Sequence, residues 1–226
     1  MTLPPLTAAA VLTLAACAIG AYVIGSIPWA YLIVRRVTGE DITSHGTGNV
    51  GAMNVRRTTG SWKWFIVAML ADGFKGLIPV AVVRFSLPAL GSPPALVVLA
   101  MQVTVFGLVI GHNFSVWLAI SKGRFVRTGK GLATGGGAIC AYNPWYFLIV
   151  VVVAVGVIAI TRYMMAGQVA AAAALPLASL VLRQPDWPFT LLMGLIVYAA
   201  HHKRFVGLLQ GREPKLYVHD GAGPRG

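Results

Sequence analysis

The chain is poor in acidic residues and in cysteine. Only 6 of its 226 residues are Asp or Glu, whereas 18 are Lys or Arg, which gives a formal net charge of +12. In a soluble protein such a basic surplus would raise the question of nucleic-acid binding. The two cysteines, Cys17 and Cys140, lie in separate apolar segments without a partner at a disulfide or metal-binding spacing. Both are therefore predicted to be packing residues.

The sequence motifs of several enzyme classes are also missing. There is no H-E-x-x-H, no paired C-x-x-C and no carboxylate cluster, so metal catalysis has little support. A G-x-S-x-G nucleophile elbow is absent as well. The Gly-Lys-Gly at 129–131 is not a nucleotide P-loop, because glycine instead of Ser or Thr follows the lysine. We expect no metal and no cofactor, and chemistry performed by positioning and electrostatics.

Apolar residues dominate what is present. The chain is 57% hydrophobic and 11% charged, and it contains several apolar runs long enough to cross a hydrocarbon layer of about 30 Å. The first run is too long for the apolar region of a signal peptide, about 7–15 residues, and no basic segment precedes it. We predict an all-α integral membrane protein, a seven-span helical bundle that uses its charge for topology and does not bind nucleic acid. The predicted spans are 8–34, 64–84, 95–113, 130–142, 144–161, 167–182 and 188–202.

The fourth span decides the predicted orientation. It is short and glycine-rich, and Asn143-Pro144 follows it, so a half-span or a re-entrant turn is the alternative. If all seven segments cross, fifteen Lys and Arg residues fall on one side and only Arg84 and Arg183 on the other. Basic residues favour the cytoplasmic side, whereas failure of the fourth segment to cross would move the basic tail outside and weaken this bias. We predict a multi-pass protein of the cytoplasmic membrane with its N-terminus outside, its C-terminus in the cytoplasm and its active-site loops cytoplasmic.

The segment T-S-H-G-T-G-N-V-G-A-M-N-V-R-R at 43–57 is the first polar constellation. Its glycines, Gly46, Gly48 and Gly51, allow positive φ angles that turn consecutive N–H groups toward one anion. Arginine adds a guanidinium fork that fits phosphate oxygens. The alternative is a glycine-rich turn with arginines held at lipid headgroups. The further candidate phosphate ligands are Thr47, Asn49, Asn54, Arg56 and Arg57.

The segment K-G-R-F-V-R-T-G-K-G at 122–131 repeats this chemistry, with basic residues spaced by glycine. Arg127 and Lys130, the latter flanked by Gly129, are predicted to provide a second phosphate contact on the same side of the membrane.

Because ions are costly inside a membrane span, Asp72 and Lys75 are predicted to pair with each other, with direct substrate contact as the alternative.

Three histidines lie at predicted span boundaries: His112, His201 and His202. At such a position a histidine is either a hydrogen-bonded anchor or a contact for a phosphate or hydroxyl group, since it exchanges a proton near neutral pH.

Taken in order, six motifs resemble one family, the acyl-phosphate-dependent glycerol-3-phosphate acyltransferases of bacterial phospholipid synthesis, the PlsY type. The motifs are G-S-I-P at 25–28, H-G-T-G-N-V-G-A-M-N-V-R-R at 45–57, D-G-F-K-G at 72–76, G-H-N-F at 111–114, G-K-G-L-A-T at 129–134 and H-H-K-R-F-V-G-L-L-Q-G-R-E-P-K at 201–215. The resemblance implies a seven-span enzyme whose single domain covers residues 1–217, with a flexible tail at 218–226.

The implied reaction moves a fatty acyl group from acyl phosphate to the sn-1 hydroxyl of glycerol 3-phosphate. Membrane lipids surround the enzyme, and no metal, acyl-enzyme or obligate protein partner is implied. The acceptor's own phosphate or His201 could take the hydroxyl proton. Thr47, Gly48 and Asn49 match the phosphate-binding Ser-Gly-Asn of the family, and the implied catalytic residues are Arg57, Lys130 and His201.

The chain departs from the family at several positions. Met53 replaces a threonine and Ser115 a proline, and residues 121–128 expand a compact loop. Met165 stands where a substrate-binding serine is expected, and Arg204 where an asparagine contacts substrate, so Arg204 is a further candidate ligand. Met165 and Arg204 leave open a different phosphorylated acceptor, and the departures together permit a lipid-binding scaffold without activity. The basic loops and the glycine-rich fourth segment would also suit an organic-phosphate transporter, but the sequence shows no inverted repeat and no second set of polar residues toward the outer face.

Overall fold

A computed structural model describes residues 7–125, 128–213 and 215 of the chain. The described part is helical, apart from loops and a single 3-10 turn at Ile42–Ser44. It forms two compact units, which divide between Pro144 and Trp145. The helices are α1 (Ala8–Gly25), α2 (Trp29–Thr38), α3 (Ala52–Thr59), α4 (Trp62–Ala89), α5 (Pro94–Asn113), α6 (Val116–Lys122), α7 (Leu132–Tyr142), α8 (Pro144–Thr161), α9 (Met164–Val181) and α10 (Trp187–Leu209).

The predicted first span is divided into α1 and α2. Pro28 has no backbone N–H and so cannot continue the helical hydrogen-bond ladder. The Ser26 hydroxyl donates to the Tyr22 carbonyl at 2.7 Å, and the Lys75 ammonium donates to the Ile27 carbonyl at 2.8 Å. Irregular backbone at this depth is stable because protein groups satisfy it. The predicted span 8–34 thus lies within one apolar stretch, Ala8–Thr38, which is interrupted at this break.

In the first unit, glycines bring two pairs of helices into backbone contact. A methyl group on Gly25 of α1 would meet the backbone of Leu108 on α5, and one on Gly76 of α4 would meet the Thr134 carbonyl of α7. Such close approach is typical of packing between membrane helices. Lipid provides no hydrophobic driving force between helices, so small residues let the backbones come close enough for van der Waals packing. Arg84 then caps the end of α7 by donating from Nη1 to the Ala141 carbonyl at 2.8 Å. These contacts hold α7 against α4 and so place the loop that precedes α7.

Among the described residues, five helical stretches are long and apolar enough to cross a membrane. They are Ala8–Thr38, Trp62–Ala89, Pro94–Lys122, Pro144–Thr161 and Met164–Val181. The predicted fourth and seventh spans correspond to α7 and α10, which are outside this group. At 1.5 Å per residue, the 11 residues of α7 cover about 16 Å, roughly half of the hydrocarbon layer. The structure thus shows a multi-helix membrane protein, and seven crossings stay a prediction.

The second unit contains α8, α9 and α10. The Asp186 carboxylate, just before α10, accepts hydrogen bonds from the Tyr146 hydroxyl of α8 at 2.8 Å and from the Ser179 hydroxyl of α9 at 2.9 Å. Because one carboxylate oxygen joins all three segments, these bonds fix the same end of the three helices.

Candidate active site

The first polar segment forms a tight turn whose geometry depends on glycine. Gly46 and Gly48 have φ angles of +55° and +65°, which confirms the positive φ predicted for these two. Gly51 instead has an extended backbone with φ of −139°, because it is the N-cap residue of α3. The prediction of positive φ at Gly51 is therefore wrong, and the exposed turn is built by the two earlier glycines.

Asn54 holds this turn together from the first turn of α3. Its side chain is buried, and its amide Nδ2 donates to the carbonyls of Ile42 at 3.1 Å and His45 at 3.0 Å. Its Oδ1 accepts from the Thr47 N–H at 3.3 Å. Both amide hydrogens are thus engaged by the backbone, so Asn54 shapes the turn. Its predicted role as a direct substrate ligand stays a prediction.

Arg57 lies one helical turn after Asn54, on the same face of α3. Residues three apart on a helix are surface neighbours, and the Arg57 side chain is exposed. A methyl group on Gly46 would lie 3.5 Å from Arg57 Cδ and would overlap Asn54 Oδ1. The aliphatic part of the Arg57 side chain therefore lies close to Gly46 in the glycine turn.

The second polar segment meets the first through one backbone hydrogen bond. The Val50 N–H donates to the Thr128 carbonyl at 2.7 Å. Thr128 is buried, and its own N–H donates to the Asn113 carbonyl at the end of α5 at 2.8 Å. Asn49 precedes Val50 and Gly129 follows Thr128, so a candidate phosphate ligand flanks each end of this bond. Lys130 follows, half-buried, just before α7, whereas Arg127 lies outside the described residues.

Lys122, at the end of α6, ties the other end of the inserted loop to the first segment. Its ammonium lies 2.6 Å from Asp41 Oδ2 and also contacts the Thr43 hydroxyl. Thr43 in turn donates to Asp41 Oδ1 from its hydroxyl at 2.7 Å and from its N–H at 2.9 Å. Burial acts to raise the pKa of Asp41, but these hydrogen bonds and the Lys122 charge outweigh it and lower that pKa from 3.8 to about 2.

A buried polar network lies behind the second segment. The predicted pairing of Asp72 with Lys75 is confirmed: their side chains are 3–4% exposed, and Lys75 Nζ lies 2.8 Å from Asp72 Oδ1. His112 Nδ1 is 3.7 Å from the same oxygen and 3.2 Å from the Thr134 hydroxyl. Thr134 carried no predicted role, because a threonine in a short glycine-rich segment gives no signal by itself.

The remaining candidate residues belong to α10 and the segment after it, in the second unit. His201 is 2% exposed, and its Nδ1 lies 2.9 Å from the Val197 carbonyl. Arg204 is one turn further along and forms a two-pronged ion pair with Glu213, with Nε and Nη2 at 2.9 and 2.5 Å from the two carboxylate oxygens. Glu213 thus offsets the extra charge that Arg204 introduces. Met165, on α9, is fully buried.

Comparison with known proteins gives one consistent result. The family model described as "Glycerol-3-phosphate acyltransferase" matches residues 15–211. A glycerol-3-phosphate acyltransferase of Gluconobacter oxydans is 36% identical over 202 residues, 87% of this chain and 90% of the relative. That of Thermus thermophilus is 38% identical over 198 residues, 87% of this chain and 92% of the relative.

The fold agrees with a solved structure. The crystal structure of PlsY (YgiH), an integral membrane glycerol 3-phosphate acyltransferase, in its glycerol 3-phosphate form is 27% identical to this chain, with a TM-score of 0.74. The similarity covers 92% of this chain and 95% of that one. Its lysophosphatidic acid form has a TM-score of 0.72 over the same shares of the two chains. From the family match and the identity of these relatives, this chain belongs to the glycerol-3-phosphate acyltransferase family of integral membrane enzymes.

Proposed function

We propose that this protein is the membrane acyltransferase that moves a fatty acyl group from acyl phosphate to the sn-1 hydroxyl of glycerol 3-phosphate, the first step of phospholipid synthesis. The hydrogen bond from Val50 to Thr128 carries the proposal, because it joins the two polar segments into one surface. Both reactants carry a phosphate, and each segment supplies groups suited to one: the glycine turn with Arg57, and the glycine loop with Lys130.

The reaction needs little covalent help from the protein. The acceptor hydroxyl oxygen attacks the acyl carbon, a new ester C–O bond forms, and the anhydride C–O bond breaks as inorganic phosphate leaves with its electron pair. The hydroxyl proton passes to the acceptor's own phosphate or to His201, so lysophosphatidic acid and phosphate are the only products. Because phosphate is a good leaving group, orientation and charge neutralisation can supply most of the rate enhancement.

The proposed roles divide among the candidate residues. Arg57 holds an acceptor or donor phosphate through its guanidinium fork. Thr47, Gly48 and Asn49 line the same phosphate, Thr47 with its hydroxyl and Asn49 with its amide. The Gly48 N–H donates to the His45 carbonyl at 2.9 Å, so Gly48 contributes through the shape of the turn. Lys130, Gly129 and Arg127 hold the second phosphate, and the Lys130 ammonium neutralises charge on the leaving group. Arg204 is proposed as a further contact to the acceptor, with its charge partly offset by Glu213.

We also propose that seven segments cross the membrane, with the N-terminus outside and the site on the cytoplasmic face. The strong bias of basic residues supports this orientation. The short α7 would then cross with its flanking residues, packed on α4. Residues 1–217 would form the single membrane-embedded acyltransferase domain.

The decisive experiment measures acyl transfer directly. Purified protein in detergent is given palmitoyl phosphate and radiolabelled glycerol 3-phosphate, and lysophosphatidic acid is separated from the reactants. We expect product from the wild type, a strong loss in Lys130→Ala and normal activity in the matched control Lys63→Ala, which removes an exposed lysine of α4. If acyl transfer occurred only to another phosphorylated polyol, the acceptor assignment would be wrong, and if no acceptor were acylated, the enzyme assignment would be wrong.

A further inference from the structure

The polar network around Asp72 connects two breaks in the helical structure. We define the Asp72 network as Asp72, Lys75, His112 and Thr134. At one end the Lys75 ammonium donates to the Ile27 carbonyl, which lies at the break between α1 and α2. At the other end Thr134 belongs to the first turn of α7, directly after the Gly129–Gly131 loop. All four residues are less than 9% exposed.

The glycine loop lies directly on this network. A methyl group on Gly129 would overlap the His112 imidazole ring at Cδ2 and Nε2 and would also press on the His112 carbonyl. The Gly129 backbone is therefore in contact with the ring, and its buried neighbour Thr128 is tied to the end of α5 by its N–H. Lys130 is the next residue along the chain. The position of the imidazole thus sets the position of the backbone that carries Lys130.

The His112 ring is itself fixed by hydrogen-bonding groups. Its Nδ1 lies between the Thr134 hydroxyl at 3.2 Å and Asp72 Oδ1 at 3.7 Å. The Lys75 ammonium lies 2.8 Å from the same carboxylate oxygen. Replacing a buried ion pair with apolar residues is often neutral or stabilising, so stability alone gives no reason to place such a network beside the loop.

We propose that the Asp72 network positions the Lys130 ammonium against the phosphate, through the His112 ring and the Gly129 backbone. The four residues are positioning residues and do not touch substrate. This inference rests on the proposed acyltransferase function, since Lys130 is assigned its phosphate there. Loss of the network therefore acts on turnover by misplacing the lysine, while the fold remains.

Thr134→Val tests the proposal, because it removes the hydroxyl that holds His112 and keeps the shape of the side chain. Thr104→Val is the matched control: Thr104 is also buried, and its hydroxyl donates to the Ala100 carbonyl of its own helix at 2.7 Å. Thr134→Ser keeps the hydroxyl and serves as the rescue variant. Each change is made in the wild type and in Lys130→Ala, with kcat, KM for both substrates and thermal unfolding measured.

We expect Thr134→Val to lower kcat by tenfold to a hundredfold, since misplacing a catalytic contact by about 1 Å costs on the order of 100-fold. Thr134→Ser should restore kcat to within about threefold, and Thr104→Val should match the wild type. In the Lys130→Ala background Thr134→Val should have no further effect, because both changes remove the same contact. If Thr134→Val does not fold, Thr134→Ala removes the same hydroxyl without added bulk and takes its place.

Two results would overturn the inference. One is a Thr134→Val enzyme with the kcat of Thr104→Val. The other is the same fold reduction in kcat with and without the Lys130 ammonium, which would indicate a general structural effect. Absence of acyl transfer in both the wild type and Thr104→Val would instead contradict the proposed function.

Discussion

The Val50 N–H donates to the Thr128 carbonyl at 2.7 Å, and this bond joins two segments that lie far apart in the chain. Both residues are buried, so the bond is shielded from water and its loss would leave a buried polar group unsatisfied, at a cost of about 1–3 kcal/mol. It brings together the two regions that the sequence identified separately as phosphate-binding. The predictions below test the groups placed on either side of it.

The first prediction concerns the glycine turn. Gly46→Ala should abolish most activity and lower the melting temperature, because alanine at a φ of +55° is strained and its methyl group overlaps Asn54 Oδ1. Gly39→Ala is the matched control, since Gly39 has a φ of +76° but open space around the added methyl group. It should show only the strain of a left-handed residue, about 1–2 kcal/mol, with normal kcat. Equal activity of the two variants would contradict the role of the turn.

The second prediction concerns Arg57. Arg57→Ala should raise the KM for glycerol 3-phosphate and lower kcat, because it removes a charge-assisted contact of about 1.5–3 kcal/mol, equivalent to roughly 10- to 150-fold in kcat/KM. Arg57→Lys should recover only part of this loss, since lysine lacks the two-pronged fork. Arg36→Ala removes another exposed arginine, on α2, and should leave the kinetics unchanged. Unaltered kinetics in Arg57→Ala would exclude the proposed phosphate contact.

The third prediction concerns pH and the tie between Asp41 and Lys122. Because the pKa of Asp41 is lowered from 3.8 to about 2, its ionised form stabilises the fold above pH 3.8, and this contribution is lost as the pH falls through about 2. Asp41→Asn should therefore lower the melting temperature at pH 7, and the difference from the wild type should shrink between pH 4 and pH 2. Thermal unfolding in detergent at these pH values measures it. A difference that stayed constant down to pH 2 would show that ionisation of Asp41 does not contribute.

The fourth prediction concerns the pairing of Arg204 with Glu213. Glu213→Gln removes the negative charge that offsets the guanidinium, so it should lower the acceptor KM about two- to fivefold, the size typical of a partly exposed ion pair. Arg204→Gln should raise that KM by a similar factor. Acceptor KM and melting temperature are measured together for both variants. Changes in KM in the same direction would indicate that the pair only fastens the C-terminal segment.

Much of this protein could be predicted from local patterns. Apolar runs predicted the helices, since every backbone group in a bilayer must be satisfied within its own segment. Positive φ at Gly46 and Gly48 followed from residue type, and the pairing of Asp72 with Lys75 followed from their spacing on a helix. The break at Pro28 was not predicted, because the span was placed from the apolar run, which continues on both sides of the G-S-I-P motif, and hydropathy does not report backbone geometry.

The sequence by itself determined the class of protein, its helices and the two polar segments, because these depend on composition and on residues near each other in the chain. Only the tertiary structure decided that Val50 meets Thr128 and that Gly129 lies on the His112 ring. It also decided that Arg204 is matched by Glu213. These relationships depend on how closely helices approach and where loops cross. The approach of the helices and the paths of the loops are set by side-chain volume and by hydrogen bonds between residues far apart in the sequence. A local sequence pattern does not predict such contacts.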